Sequence, residues 1–173
     1  MNRVYLAATG SSVVGRSARS IQSVMEEMLL EAEDEIIIAA YTISGNLQDF
    51  FQLLWRAAAR GVRVVIIINR IKSQPANVRR ILENLSSEFP HVKIYDFTDE
   101  TCSLHMKVIA VDRKKALIGS ANLTWRGMVE NLELGIVVEG EVAEEVSKLL
   151  ENLTVVLDLP KIHEDSSDNS RCS

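Results

Sequence analysis

At 173 residues, 47% hydrophobic and 25% charged, the chain has the length of one globular domain and enough apolar mass to bury a core. A net charge of −5 argues against a protein that coats nucleic acid through bulk electrostatics, while leaving room for a local basic site. No secretory signal or membrane-crossing run is read, and two cysteines, Cys102 and Cys172, suggest neither a disulfide framework nor a metal site; a reducing cytoplasm is expected.

In chain order, Val4 to Ala8 reads as a first strand, followed by a loop over Thr9 to Gly15. Ser17 or Ser20 can cap a helix whose apolar positions are Ile21, Val24, Met25, Met28 and Leu29. Ile36 to Tyr41 is a continuous apolar run, as in a strand covered on both faces. Leu47 to Arg60 has helical spacing through Phe50, Phe51, Leu54 and Ala57, and Gly61 is placed to stop it. Val62 to Ile68 is another buried strand; Pro75 opens a third helix, Pro90 closes it, and Val92 to Phe97 is a strand. This rhythm argues for an α/β sheet with helices on both faces. A hairpin follows, then a short turn over Leu123 to Gly127, a strand from Leu132 to Glu139, and a helix from Val142 to about Leu153. The domain is expected over 1–157 and a disordered tail over 158–173, where charged and small polar residues dominate.

The hairpin holds the candidate chemistry. Val108 to Val111 and Ala116 to Ile118 are short apolar runs joined by the basic turn Arg113–Lys114–Lys115. Strand alternation puts His105 and Lys107 on one face, roughly 6–7 Å apart. The return strand delivers Gly119, Ser120 and Asn122 to the same edge of the sheet. An imidazole, an ammonium, a hydroxyl and a carboxamide at one edge can hold a phosphate and attack its phosphorus.

This pattern, His105-x-Lys107, then Asp112, then Gly119-Ser120-x-Asn122, resembles the HKD signature of the phospholipase D superfamily, and Glu133 falls on a further acidic position of that family. The resemblance implies a phospholipase D-like α/β/α sandwich with a mixed sheet. Because one signature is present, it implies a homodimer with one composite site. It further implies that one His105 attacks phosphorus to form a phosphohistidine while His105 of the partner subunit protonates the leaving oxygen. Lys107 and Asn122 would hold the phosphoryl oxygens, and no metal or other cofactor is expected. Ser120 would bond a phosphate oxygen or a catalytic neighbour, and Glu133 would orient the His105 ring. Asp112 either ties down the hairpin turn or meets substrate, and Gly119 gives a close backbone approach.

Other residues carry weaker signals. Trp125 either stacks on a base or packs at the dimer interface. Arg126 and Lys114 flank the signature as candidate substrate contacts. Ser11, Ser12 and Arg16 either receive an anion or form a capped surface loop. His91, His163 and Cys102 are read as inert. The expected function is a metal-independent nuclease or phosphodiesterase acting on DNA or RNA, without stable membrane association. A phospholipase D or phosphatidyltransferase is the alternative, and a non-catalytic nucleic-acid-binding module is a third. The form Gly119-Ser120-Ala121-Asn122-Leu123-Thr124 with Asn131-Leu132-Glu133 also resembles phospholipase D-like proteins found with prokaryotic defence helicases. That likeness implies a helicase or other defence-system partner.

Overall fold

The computed structural model describes residues 2–11, 14 and 18–156. The expected tail over 158–173 and the residues Ser12, Arg16 and Ser17 lie outside them. Eight strands form one mixed sheet: β1 (Arg3–Ala8), β2 (Arg19–Ser20), β3 (Glu35–Ala40), β4 (Arg63–Asn69), β5 (Val92–Phe97), β6 (Lys107–Val111), β7 (Lys115–Gly119) and β8 (Leu134–Glu139). Their order across the sheet is β2-β1-β8-β7-β6-β3-β4-β5. The helices are α1 (Ile21–Glu31), α2 (Gln48–Ala59), α3 (Ala76–Glu88) and α4 (Glu141–Val156).

Alternation along the strands assigns the two faces. In β3 and β4, Ile36, Ile38, Ala40, Val64, Ile66 and Ile68 pack on the face covered by α1, α2 and α3. Ile37, Ala39, Val65 and Ile67 point the other way and meet Ala143 and Leu150 of α4. The result is the expected α/β/α sandwich. β3, β4 and β5 are parallel neighbours and step in one direction across the sheet, so both crossover helices, α2 and α3, fall on one side. β6 returns antiparallel to β3, with Ala40 opposite Lys107. The start of β6 therefore lies at the carboxyl ends of β3 and β4, the edge where α/β sheets bind ligands.

Local chemistry sets the boundaries. Ser20 caps α1 by accepting the N–H of Ser23 at 3.3 Å. Gly61 ends α2 with φ +92°, a left-handed conformation that favours glycine. The segment Leu123–Gly127, expected as a short turn, opens a π-helical turn over Arg126–Glu130. The last strand starts at Leu134 rather than Leu132. No helix among the described residues is long and apolar enough to cross a membrane.

Candidate active site

His105, Lys107, Gly119, Ser120, Asn122 and Glu133 come from chain segments that share one edge of the sheet. β6 begins at Lys107, so His105 sits two residues before the strand and strand parity does not govern its side chain. The lysine stem folds back instead, and Nζ of Lys107 lies 2.9 Å from Nδ1 of His105 and 2.8 Å from the His105 carbonyl oxygen. Burial holds the Lys107 ammonium below the usual lysine range, opposed by the charge of Glu133. Its apolar surroundings include a cavity of about 20 Å³ bordered by Ile109, Leu117, Ala121 and Met128.

Ser120 is fixed by β8. Its backbone N–H donates to the Leu134 carbonyl at 3.0 Å, its Oγ accepts the Leu134 N–H at 3.2 Å, and its hydroxyl donates to Glu133. Gly119 permits this approach: a Cβ there would sit 2.8 Å from the Leu134 carbonyl oxygen. The second carboxylate oxygen of Glu133 accepts from Asn131 at 3.1 Å. Both partners of Glu133 are thus neighbours on the β7–β8 side, and among the described residues the His105 ring nitrogens meet only Lys107. Among the described residues no contact joins Glu133 to His105; its charge acts on Lys107 instead.

Asn122 carries a buried Oδ1 with no hydrogen-bond partner among the described residues, an acceptor held ready without an internal donor. Its backbone is wedged against Gly127, where a Cβ would lie 2.4 Å from the Asn122 carbonyl oxygen.

Asp112 is not at this edge. It follows β6 at the opposite end of the sheet, and its carboxylate accepts the backbone N–H groups of Glu33, Asp34 and Glu35 at 2.8–3.0 Å. Lys114 occupies the same turn, beyond the far end of β6, roughly 13 Å or more from Lys107 at strand rise. The structure therefore does not bring Lys114 to the site of its own chain. Arg126 pairs with Glu130 at 3.6 Å on an exposed turn. Trp125 stays exposed at the site's margin, with Nε1 donating to Glu130 at 3.1 Å and its backbone N–H to the Ser44 hydroxyl. His91 bonds the Ala58 carbonyl oxygen through Nε2 at 2.8 Å, a structural contact. Burial and nearby Asp99 push the Cys102 thiol up, away from reactivity.

Three residues at the site have no sequence signature. The Tyr41 ring lies with its centroid 4.6 Å from that of His105, and Lys107 Nζ is 5.3 Å from the same ring. Buried Asn69 accepts the Leu104 N–H at 3.0 Å, next to His105. Buried Gln74 donates to the carbonyls of Tyr41 and Asn69 and accepts from the Ile43 N–H. Tyr41 ends an apolar run and reads there as strand-end packing, whereas the amides contact residues some 30 positions away.

Residues 25–154 match the family model described as "Cardiolipin synthase, PLD-like domain". The chain is 33% identical over 159 residues to the DISARM protein DrmC of Bacillus paralicheniformis, covering 91% of this chain and 63% of that protein. It thus spans less than two thirds of that relative's length. The fold is similar to NucT from Helicobacter pylori, with TM-score 0.75 and 16% identity over 93% of this chain and 99% of that one. It is also similar to Nuc, a phospholipase D family member from Salmonella typhimurium, with TM-score 0.71 and 20% identity over 93% and 98% of the two chains.

Proposed function

Because this chain belongs to the phospholipase D-like family, whose members cleave or transfer phosphodiesters, we propose that it is a metal-independent nuclease acting on DNA or RNA. The observation that carries the reading is the direct contact of Lys107 with His105 at the edge that also holds Ser120 and Asn122, whose Nδ2 amide is the group able to donate to phosphate. In this reading a bound phosphate draws Lys107 and Asn122 onto its non-bridging oxygens, which releases the His105 ring. His105 attacks phosphorus as the bond to the leaving oxygen breaks, and that oxygen takes its proton from His105 of the partner subunit. The partner's His105, now neutral, takes a proton from water; the water attacks phosphorus and the P–N bond breaks.

The mechanism asks for two imidazoles and each chain supplies one at this edge. A second copy is therefore part of the reading. An apolar strip supports it: Leu6 and Ile136 face each other across β1 and β8, 50% and 37% exposed, with Val4 and Leu134 beside them at 56% and 59%. The strip ends at Leu134, whose backbone holds Ser120. Similarity to the DISARM protein DrmC supports extending the reading to a defence-system component as partner.

The family model's description favours one rival, a lipid phosphodiesterase or phosphatidyltransferase. The test is incubation in EDTA with single-stranded DNA, duplex DNA, RNA and phosphatidylcholine vesicles, alongside His105→Ala. Nucleic-acid cleavage that disappears in the variant is the expected result. Lipid turnover would install the rival, and binding without cleavage would leave a non-catalytic module.

A further inference from the structure

Tyr41 touches both groups on which the proposed chemistry depends. Its ring stands 4.6 Å from the His105 imidazole at 52°, and the Lys107 ammonium lies 5.3 Å from its centroid. Its hydroxyl makes no hydrogen bond among the described residues, so the contact belongs to the ring. The segment that carries it is gripped from below. Gln74 donates to the Tyr41 carbonyl at 3.1 Å and to the Asn69 carbonyl at 2.7 Å, while its Oε1 accepts from the Ile43 N–H and the Thr42 hydroxyl at 3.2 Å. Asn69 in turn accepts the Leu104 N–H at 3.0 Å. One buried pair of amides thus holds the Tyr41 segment and the His105 segment, whose own strands contribute neither residue.

We propose that Tyr41 is a positioning residue: its ring is the wall that fixes the His105 imidazole and the Lys107 ammonium relative to each other, and the Asn69–Gln74 pair holds that wall in place. The proposal rests on the phosphodiesterase reading. An aromatic face carries partial negative charge, so it attracts the ammonium and limits where Nζ can go. The same face restricts rotation of the imidazole. Removal of the ring leaves His105 attached at an exposed position before β6, free to leave the line of attack. A displacement of about 1 Å in such a geometry lowers rates by roughly 100-fold.

The experiment compares wild type, Tyr41→Leu, Tyr41→Phe and His105→Ala in EDTA on bis(p-nitrophenyl) phosphate, with thermal unfolding of each. Tyr41→Leu should lower kcat by about 10- to 100-fold with little change in KM, as expected for lost orientation rather than lost binding. Tyr41→Phe should restore the rate, because it keeps the ring. A second readout needs no turnover: carbethoxylation of His105 by diethyl pyrocarbonate, followed by mass spectrometry. Tyr41→Leu should label several-fold faster than wild type and Tyr41→Phe at the wild-type rate. A Tyr41→Leu protein with wild-type kcat and wild-type labelling would overturn the proposal, as would equal losses in the Leu and Phe variants. Wild-type protein without His105-dependent hydrolysis would remove the phosphodiesterase reading, and the labelling would still decide whether Tyr41 holds the ring.

Discussion

Lys107 Nζ lies 2.9 Å from Nδ1 of His105, so the proposed phosphate clamp and nucleophile hold each other until substrate separates them. The ammonium is also partly withdrawn from water, which holds it below the usual lysine range. Lys107→Met should therefore abolish turnover while raising the thermal unfolding midpoint, because the desolvated charge opposes folding. Calorimetry of the variant checks the direction; a lowered midpoint would contradict it. By the same linkage, the charged form's penalty is present below the folded-state pKa of Lys107 and is relieved as pH rises through it.

Asp112 gathers the N–H groups of three successive residues at the far edge of the sheet. Asp112→Ala leaves those donors without their acceptor and should lower stability by about 2–3 kcal/mol, read from the urea midpoint. Activity per folded molecule should hardly change. A loss of kcat without a loss of stability would instead place Asp112 in the chemistry.

Gly127 lies against the Asn122 backbone so tightly that a Cβ would fall 2.4 Å from its carbonyl oxygen. Gly127→Ala must push that backbone, and overpacking of this kind costs about 1–3 kcal/mol. Turnover should fall further than stability does, since the displaced residue is a proposed phosphate ligand. Gly61→Ala provides the contrast: no atom lies within 4 Å of its Cβ, and only the positive φ resists, with activity preserved.

Asp99 fixes the loop that leads to His105. Hydrogen bonds from the Thr101 hydroxyl, and then from the backbone N–H groups of Thr101 and Cys102, lower its carboxyl to about 2. A depressed carboxylate pKa adds order above the unfolded value, lost as pH falls from roughly 4 through 2. Protection of the Thr101 and Cys102 amides, taken relative to the intrinsic exchange rate at each pH, should be lost over that window in wild type. In Asp99→Ala the exchange should be fast throughout.

The strip over Val4, Leu6, Leu134 and Ile136 gives a direct test of the second copy. Leu6→Asp with Ile136→Asp places two carboxylates on an antiparallel pair and should yield a monomer by analytical ultracentrifugation, with turnover lost together with the dimer. A monomeric variant that keeps full activity would exclude the composite site.

Much of the fold was legible because its signals are local and periodic. Unbroken apolar runs such as Ile36–Ala40 and Val64–Ile68 are what a sheet buried on both sides requires, and they stand at β3 and β4. The signature residues were legible because their spacing is fixed by one hairpin. Lys114 misled for the same reason: closeness in sequence to Asp112 and Ala116 said nothing about which end of β6 it would occupy. Glu133 stands at the predicted edge, and within one chain it bonds Ser120 and Asn131 rather than His105. Tyr41, Asn69 and Gln74 left no trace, because their meaning arises only when β3, β4 and the His105 segment converge.

The edge opposite His105 is also where Glu35, Arg63, Arg113 and Glu151 form a closed set of ion pairs beside the Asp112 anchor. Cohesion and reactivity are thereby housed at opposite rims of the molecule. The ion-pair set and the Asp112 anchor touch none of the segments that carry His105, Ser120 or Asn122.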